Sequence, residues 1–367
     1  MTQAENYTIA QIAQAMEADA FGDLSFVVTY AKEPQSAGPD DLAIATSEAY
    51  ADKLSEGRAR AALLWEGANW QALGLRAAII PRRPRFALAQ LTPLFDPGQN
   101  VAAGIHPSAV IDPSAELGAD VSVGPLAVIG AEARIGAGSV IGPQCFVGWR
   151  AVLGEKAYLR EQVSIGARAR IGARFTAQPG VRIGGDGFSF VTAEKSGVEA
   201  IRETLGDKQD TQAQGWSRIH SLGAVEIGDD VELGAQVVID NGTLRNTRIG
   251  NGVKMDNLAV IGHNVVIGDD CLICGMCAVA GSTRLGKNVV LGGMTGVSDN
   301  ITIGDGVITG GGTKVLSSIP AGRVMLGYPA TRMDKQIEIF KAIRRLPRIL
   351  SDIAALQKAV FKQNDKD

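Results

Sequence analysis

Histidine is scarce in this sequence: the 367 residues contain three, His106, His220 and His263. Aromatic residues make up 5% of the chain and the formal net charge at pH 7 is −3, so composition gives no electrostatic reason to expect a nucleic-acid partner. No apolar run approaches the roughly 20 residues that a transmembrane helix needs, and nothing resembles a signal peptide. We therefore expect a cytoplasmic protein without a transmembrane segment.

Glycine, by contrast, is abundant, with 45 residues, and much of it belongs to a repeat. Between positions 105 and 319 an apolar residue recurs at every sixth position, and a glycine often follows it. The first run comprises Ile105, Ile111, Leu117, Val123, Ile129, Ile135, Ile141, Val147, Leu153, Leu159, Ile165, Ile171, Ala177 and Ile183. The second run shifts register by four residues after its third member and comprises Ile227, Leu233, Ile239, Ile249, Met255, Ile261, Ile267, Ile273, Val279, Leu285, Leu291, Val297 and Ile303, with Thr309 and Val315 closing it.

A period of six fits neither a helix nor long alternating strands, and hexapeptide repeats are typical of a β-helix. Each unit predicts one short strand and one corner, and three units predict one triangular coil. The aliphatic residue points inward, a small residue four positions later (Ala127, Ala133, Ser139) fills the interior, and glycine serves the corner, where φ can be positive. The pattern resembles the left-handed parallel β-helix, so we predict a mainly β fold with this β-helix over residues 101–330.

Four cysteines are present, and Cys271, Cys274 and Cys277 form C-x-x-C-x-x-C, which resembles iron–sulfur spacing. In the register of the repeat, Cys271 and Cys277 occupy the interior small-residue position, whereas Cys274 occupies a corner. Cys145 occupies the interior position of an earlier coil. Because free cysteine commonly packs as a small hydrophobe, we expect structural thiols and no metal site.

The flanking segments lack the six-residue period. Residues 1–100 predict a small α/β domain, with a helix beginning near Thr8, a second helix over 47–57, and strands over 24–30, 61–65 and 77–81. A proline-punctuated link over 91–98 leads into the repeat. Residues 331–367 predict a C-terminal helical extension in which Pro347 forces a kink or break. Basic residues there, including Arg344 and Arg345, form a hypothetical docking surface for an acidic carrier protein.

The period is interrupted by an inserted loop over 185–224. Long loops in compact folds are usually functional or mobile. The loop begins within G-G-D-G-F-S-F at 184–190, which carries an aspartate and the aromatic residues Phe188 and Phe190. Its middle, over 192–214, is polar.

Among the histidines, His263 is the candidate general base. It follows the corner glycine in I-G-H-N-V-V, so its ring is predicted to project outward. Asp256, seven residues earlier, lies at a neighbouring corner, where a carboxylate can hold one ring nitrogen and leave the other free. A lone histidine is more often inert than catalytic, so the pattern alone leaves both interpretations open. His106 is expected to lie at the open end of the β-helix, in its first coil, and His220 to lie on the surface.

Five segments together resemble the UDP-3-O-acylglucosamine N-acyltransferase family of lipid A biosynthesis. They are G-x-D-G-F-x-F at 184–190, V-V-I-D-N-G-T at 237–243, M-D-N-L-A-V-I-G-H-N-V-V-I-G at 255–268, A-G-S-T at 280–283 and the ending around 327–330. The resemblance covers nearly the whole chain, including the interruption of the β-helix. Hexapeptides are weakly specific, whereas the D-N-x-x-x-x-x-H-N and D-G-F-x-F patterns are more specific.

The resemblance implies a homotrimer with active sites in clefts between adjacent β-helices. It implies transfer of a 3-hydroxyacyl group from acyl carrier protein to the 2-amino group of a UDP-linked, 3-acylated glucosamine, without a cofactor beyond the carrier's own phosphopantetheine. By carry-over, His263 is the general base, Asp256 its orienting partner, and Gly281 the oxyanion donor. The substrate contacts implied are Asp240, Asn257, Asn264, Phe188 and Phe190.

Two departures from the family are visible. Relatives often have a second histidine where this chain has Asp299 and Asn300. Relatives also hold uracil in the N-terminal domain with an F-x-x-N-P-x-Y pattern, where this chain has Ile44, Ser47 and Tyr50, so only the tyrosine matches. We expect Tyr50 to contact the nucleotide, while the rest of that contact departs from the family.

Three other classes of β-helix protein are alternatives to this interpretation. The related O-acyltransferase of the same pathway starts its coils close to the N-terminus, and the hundred residues before Ile105 argue against it. A sugar N-acetyltransferase would use acetyl-CoA instead of an acyl carrier protein. The third alternative is a non-catalytic or carbonic-anhydrase-like β-helix. The zinc site of the latter needs three histidine ligands, and the three histidines here have no paired spacing.

Overall fold

The computed structural model describes residues 6–204, 212–327 and 330–363. Tyr328 and Pro329, part of the segment at 327–330, and residues 205–211 of the inserted loop lie outside the described residues. The chain divides into two compact units, Met1–Val101 and Ala102–Asp367.

The first unit is an α/β domain built on a five-stranded sheet. In spatial order its strands are Asp19–Gly22, Ala77–Ile80, Ala61–Leu63, Asp41–Ile44 and Tyr30–Lys32, the first antiparallel to its neighbour and the others parallel. Tyr7–Thr8 pairs with Val27–Val28 in a separate ribbon. Alternate residues of the sheet enter two apolar clusters, with Leu42 in one and Ala43 in the other. This alternation means that both faces of the sheet are covered.

Three helices cover this sheet: α1 (Ile9–Ala15), α2 (Ala51–Glu56) and α3 (Pro84–Phe95), with 3-10 turns at Pro34–Ser36 and Glu48–Tyr50. The predicted helix near Thr8 is confirmed, because Thr8 and Gln11 form a reciprocal capping box. The predicted link over 91–98 is partly wrong: residues up to Phe95 belong to α3. Pro93 lies in the last turn, where its missing N–H costs the helix one backbone hydrogen bond and the helix ends two residues later.

The second unit confirms the predicted parallel β-helix, with three faces of short strands visited in turn. Face A contains Val110–Ile111, Val128–Ile129, Phe146–Val147, Ser164–Ile165, Arg182–Gly185, Val238–Asp240, Val260–Ile261, Ala278–Val279, Gly296–Val297 and Lys314–Val315. Face B contains Glu116–Leu117, Arg134–Ile135, Val152–Leu153, Arg170–Ile171, Val225–Ile227, Thr247–Ile249, Val266–Ile267, Arg284–Leu285 and Thr302–Ile303. Face C contains Ser122–Val123, Val140–Ile141, Tyr158–Leu159, Thr176–Ala177, Glu232–Leu233, Lys254–Met255, Leu272–Ile273, Val290–Leu291, Ile308–Thr309 and Val324–Met325.

The interior of the β-helix follows the predicted register. The aliphatic residues stack in rungs, as in the pairing of Ile261 with Val279, and the small residues four positions later, such as Ala127 and Ala133, are fully buried. Cys145, Cys271 and Cys277 are buried in those positions, as predicted, and burial raises the pKa of Cys145 and Cys271 to about 11. These thiols therefore stay protonated and act as packing residues.

Glycine lies at the corner as predicted, but the reason predicted for it, a positive φ, is wrong. At Gly136, which follows Ile135, a Cβ would lie 2.4 Å from the backbone nitrogen of Glu155 in the next coil. The positive φ falls two residues after such a glycine, and ordinary side chains occupy that position, as at Leu126 (φ 59°) and Gln144 (φ 56°). The glycine is needed because successive coils approach closely, and not because of its own backbone conformation.

Both interruptions of the repeat occur at the corner between faces A and B. The inserted loop leaves face A after Gly185 and returns to face B at Val225, and the four-residue shift lies between Ile239 and Ile249. The loop carries a two-stranded ribbon, Phe190–Val191 with Ser217–Arg218, and α4 (Gly197–Thr204). Coils that are otherwise regular therefore carry extra backbone at one corner.

The C-terminal segment forms one helix, α5 (Met333–Gln363), which contains Pro347. The predicted break at Pro347 is wrong, because the helix continues through it, as proline-containing helices can at the cost of one backbone hydrogen bond. Apolar residues recur at helical spacing and are exposed in the chain alone, including Phe340, Ile343 and Leu350. Among the described residues, no helix combines the length and apolar character that crossing a membrane requires.

Candidate active site

His263 lies at the A–B corner, the same corner at which both interruptions occur. It follows the face A strand Val260–Ile261 and Gly262, and its ring is half-buried. The predicted outward position of the ring at a corner is thus observed. The neighbours of the ring come from the coils on either side, because coils stack with corners in register.

Asn264 orients the imidazole. Asn264 Oδ1 lies 3.0 Å from His263 Nδ1 and also accepts hydrogen bonds from the Thr243 backbone N–H (3.1 Å) and hydroxyl (2.8 Å). Asn264 Nδ2 donates to the Arg245 carbonyl at 2.9 Å. Since a backbone N–H can only donate, this network assigns Oδ1 as the acceptor, so His263 Nδ1 carries the proton. The lone pair then lies on Nε2, which is the arrangement that a general base needs.

Asp256 lies at the neighbouring corner predicted for it, but among the described residues its carboxylate forms no hydrogen bond with His263. It follows the face C strand Lys254–Met255, so it lies at the C–A corner, and its Oδ1 accepts a hydrogen bond from the Asn257 backbone at 2.7 Å. Asn257 Oδ1 in turn accepts from the backbone N–H of Ala235, one coil earlier, at 2.6 Å. Within one chain, therefore, Asp256 and Asn257 stabilise a different corner, and Asn264 holds the ring nitrogen that Asp256 was predicted to hold.

Asn264 was predicted as a substrate contact, and its geometry argues for a different role. It is 7% exposed, and both ends of its amide already have protein partners. Its φ of 62° also suits asparagine, which tolerates the left-handed region. Asn264 is therefore a positioning residue for His263.

Gly281 lies directly against the imidazole ring from the next coil. A Cβ at Gly281 would be 2.7 Å from both Nε2 and Cε1 of His263. In the described residues the Gly281 backbone N–H has no acceptor, whereas the N–H of Ser282 donates to the His263 carbonyl. A free N–H donor beside the basic nitrogen is what stabilisation of an oxyanion requires.

Asp240 and the start of the inserted loop lie on the other side of His263. Burial raises the pKa of Asp240 to about 6; the neighbouring Asp186 adds to the rise, while His263 opposes it. Gly187 packs against the histidine, since a Cβ there would lie 2.6 Å from His263 Cβ. Asp186 was not among the predicted site residues. Its link to the site is indirect: Asp186 follows Gly185, which pairs with Asp240. Asp240 in turn precedes Gly262 by 22 residues, which is one 18-residue coil plus the four-residue shift.

The aromatic residues Phe188 and Phe190, predicted to contact the substrate, lie on the inserted loop. Phe188 is 82% exposed, and its ring centroid is 5.0 Å from that of Phe190, over which the Arg218 guanidinium stacks. Tyr50 lies in the N-terminal unit, where it is 37% exposed and the Lys53 ammonium lies 5.4 Å from its ring. These three rings are accessible to a ligand in the chain as described.

The other histidines are in the positions expected of them. His106 is exposed in the first coil, with Nδ1 2.9 Å from the Ser108 hydroxyl, and His220 is exposed near the end of the inserted loop. Within residues 6–204, 212–327 and 330–363, no group of three histidine, cysteine or acidic side chains is arranged to hold a metal ion.

The two proposed partners of His263 can be separated by mutation. We expect Asn264→Ala to lower kcat/KM for acyl transfer by about 10- to 100-fold, because the Nδ1 proton loses its acceptor, and Asp256→Asn to lower it less than about threefold. Kinetic assays together with ring ¹⁵N shifts of His263 would measure both effects. Asn288→Ala controls for the backbone, since Asn288 has a φ of 54° at an equivalent corner position away from the site. A larger loss in Asp256→Asn than in Asn264→Ala would contradict this assignment.

Comparison with known proteins agrees with the fold and places the chain among acyltransferases. Residues 114–149 match the family model described as bacterial transferase hexapeptide (six repeats). The UDP-3-O-acylglucosamine N-acyltransferase of Ruegeria pomeroyi is 68% identical over 97% of this chain and 98% of its own length. That of Paracoccus denitrificans is 62% identical over 98% of each chain. Among solved structures, LpxA from Acinetobacter baumannii is 24% identical with a TM-score of 0.44, over 61% of this chain and 71% of that chain.

Proposed function

The chain belongs to the UDP-3-O-acylglucosamine N-acyltransferase family and is an acyltransferase, and on that premise we propose that it N-acylates UDP-3-O-acylglucosamine. The donor is a 3-hydroxyacyl thioester of acyl carrier protein. The observation that carries the proposal is the oriented imidazole of His263, with a proton fixed on Nδ1 and its Nε2 beside Gly281.

His263 serves as the general base of this reaction. The acceptor nitrogen attacks the thioester carbonyl, and Nε2 takes the proton that the nitrogen loses as the C–N bond forms. The Gly281 N–H donates to the oxyanion of the tetrahedral intermediate. When the C–S bond breaks, the sulfur leaves as the thiol of the carrier's phosphopantetheine and receives the proton from His263. An amide and a free thiol are the products.

The remaining parts of the chain are proposed to bind the substrates. Phe188 and Phe190 contact the sugar or the pantetheine, and Tyr50 contacts the nucleotide in the N-terminal unit. Three copies of the chain assemble so that each active site lies between adjacent β-helices, and the basic residues of α5, including Arg344 and Arg345, receive the acidic carrier. Because carrier and UDP-sugar are cytoplasmic molecules, the enzyme is proposed to act in the cytoplasm.

A product analysis tests this function directly. Purified protein is incubated with UDP-3-O-acylglucosamine and a mixture of 3-hydroxyacyl carrier thioesters and, separately, with acetyl-CoA. Mass spectrometry is expected to detect an N-acylated UDP-sugar from the carrier thioesters and none from acetyl-CoA. An acetylated product, or no transfer from any carrier thioester, would refute the proposal.

A further inference from the structure

Asp186 and Asp240 are brought together by an irregularity in the backbone of face A. The strands Arg182–Gly185 and Val238–Asp240 pair with a register shift that places Gly185 beside Asp240. Gly184 has a φ of 82° there, and the Asn241 backbone N–H donates to the Gly185 carbonyl at 2.8 Å. Asp186 is the next residue, so the irregular pairing directs it to the corner that Asp240 occupies.

The backbone of the inserted loop then fixes this arrangement against His263. Gly187 donates its N–H to the Ser221 hydroxyl at 3.0 Å, and its Cα packs against the Cβ of His263. Asp186 thus lies in the chain between Gly185, which pairs with Asp240, and Gly187, which contacts His263. Two carboxylates and the proposed base share one corner.

The two carboxylates have no cation of their own. Among the described residues, neither Asp186 nor Asp240 forms an ion pair with lysine or arginine, or a side-chain hydrogen bond. Next to them Asn241 is only 7% exposed, and its Oδ1 is buried without a hydrogen-bond partner. The partly buried Asp240 and the buried Asn241 Oδ1 lack donors, which is unfavourable unless a donor binds there. Asp186 is exposed and adds a second carboxylate at the same corner.

We propose that Asp186 and Asp240 bind the acceptor nitrogen in its ammonium form, and that this recognition makes the site select an amine over a hydroxyl. The inference rests on the proposed acyl transfer and adds the basis of its selectivity. An ammonium supplies a positive charge and three N–H donors, which match the two carboxylates, whereas a hydroxyl at the same carbon supplies one donor and no charge.

The protons of the reaction balance with these groups. The ammonium nitrogen loses two protons in becoming an amide nitrogen. The carboxylate pair accepts the first before attack and passes it to solvent; His263 accepts the second as the C–N bond forms and delivers it to the departing sulfur. After transfer the nitrogen is a neutral amide, so the attraction to Asp186 and Asp240 is lost in the product.

Binding measurements with a matched pair of acceptors test the proposal. The ligands are UDP-3-O-(3-hydroxyacyl)-glucosamine and the glucose analogue with a hydroxyl in place of the 2-amino group, and the Kd values come from calorimetry at pH 7.5. We expect Asp186→Asn and Asp240→Asn each to weaken binding of the amine about tenfold, as for a lost hydrogen bond to a charged group, with binding of the hydroxyl analogue changed less than about twofold. The control is Asp270→Asn, because Asp270 is an exposed aspartate at the B–C corner of the coil that contains His263. This variant should change the Kd of neither ligand.

The pH dependence supplies a second readout. The charged groups acting on Asp240 are His263 and Asp186, and its pKa is raised to about 6. As pH falls through 6, Asp240 becomes protonated, so the preference of the parent for the amine should decline, while that of Asp240→Asn should stay constant over the same interval.

The stability of the fold depends on pH in the opposite direction. Because the pKa of Asp240 is raised in the folded state, the free energy of unfolding falls as pH rises through 6. Asp240→Asn should therefore melt at a higher temperature than the parent at pH 8 and at the same temperature near pH 3.

The outcomes separate this inference from the proposed function. If the parent acylates the amine but the variants lose affinity for both ligands equally, or for neither, ammonium recognition by Asp186 and Asp240 is refuted and the acyl transfer stands. If the parent neither binds nor acylates the amine, the proposed function itself is refuted. Selective loss of amine affinity in folded variants would establish the proposal.

Discussion

Replacing His263 with alanine is expected to lower kcat/KM for acyl transfer by about a hundredfold or more, the usual scale for loss of a general base. The change should leave the fold intact, because His263 is a half-buried corner residue and Asn264 keeps its bonds to Thr243 and Arg245 without it. The loss should fall on kcat, since the imidazole acts mainly as the C–N bond forms. Steady-state kinetics with a carrier thioester would measure it, alongside the melting temperature.

His106→Ala is the matched control for that experiment. His106 is also a corner histidine with a side-chain partner on Nδ1, but it is exposed and lies in the first coil. Its removal should leave kcat/KM unchanged. Activity of His263→Ala within a few-fold of the parent would remove the imidazole from the mechanism.

Gly281→Ala, which adds only a Cβ, is expected to lower kcat by about a hundredfold. That Cβ would lie 2.7 Å from His263 Nε2, closer than side chains approach, so the ring must move. A displacement near 1 Å in a catalytic group can cost about this factor. Alanine retains the backbone N–H, so the loss would report the position of the ring and not the absence of an oxyanion donor.

The control for Gly281→Ala is Gly293→Ala. Gly293 holds the same middle position in a C–A corner, where a Cβ would meet the Gly275 carbonyl at an ordinary 3.5 Å. We expect this variant to match the parent in kcat and melting temperature. Equal activity of the two variants would show that His263 does not need the space beside Gly281.

The six-residue period was sufficient to predict the second unit of the fold. It assigned Ile261 and Val279 to interior rungs, Cys271 and Cys277 to the small-residue positions and His263 to a corner, and the structure confirms each placement. The period works because one apolar residue per strand must face a narrow interior, which fixes the direction of every other side chain.

The partners of His263 were harder to predict because proximity in a stacked coil differs from proximity in sequence. Asp256 is seven residues from His263 but lies at another corner, whereas Asp240 is 23 residues away and electrostatically coupled to it. Predicting this contact requires counting in whole coils and adding the four-residue shift. Asn264 was expected to contact the substrate because the family resemblance implies it, and the position of its Oδ1, 3.0 Å from His263 Nδ1, is not visible in the sequence pattern.

The remaining errors came from local rules that tertiary structure overrode. Pro347 was expected to kink or break a helix and Pro93 to lie in a link, and both lie within helices. The corner glycines were assigned to a left-handed backbone, but their role is to admit the neighbouring coil. In each case the residue type was informative and the physical reason attached to it was incomplete.

The way in which the inserted loop joins the β-helix has a consequence for how such proteins can vary. The interior rungs continue across the loop: Ile183 of face A pairs with Ile239, with a register shift only at Gly185, and Ile227 of face B pairs with Ile171. The pairing of the stacked strands therefore does not depend on the length or the content of the inserted loop. Evolution, or an engineer, can graft a different excursion onto the same two attachment points and change what the enzyme recognises without redesigning its scaffold.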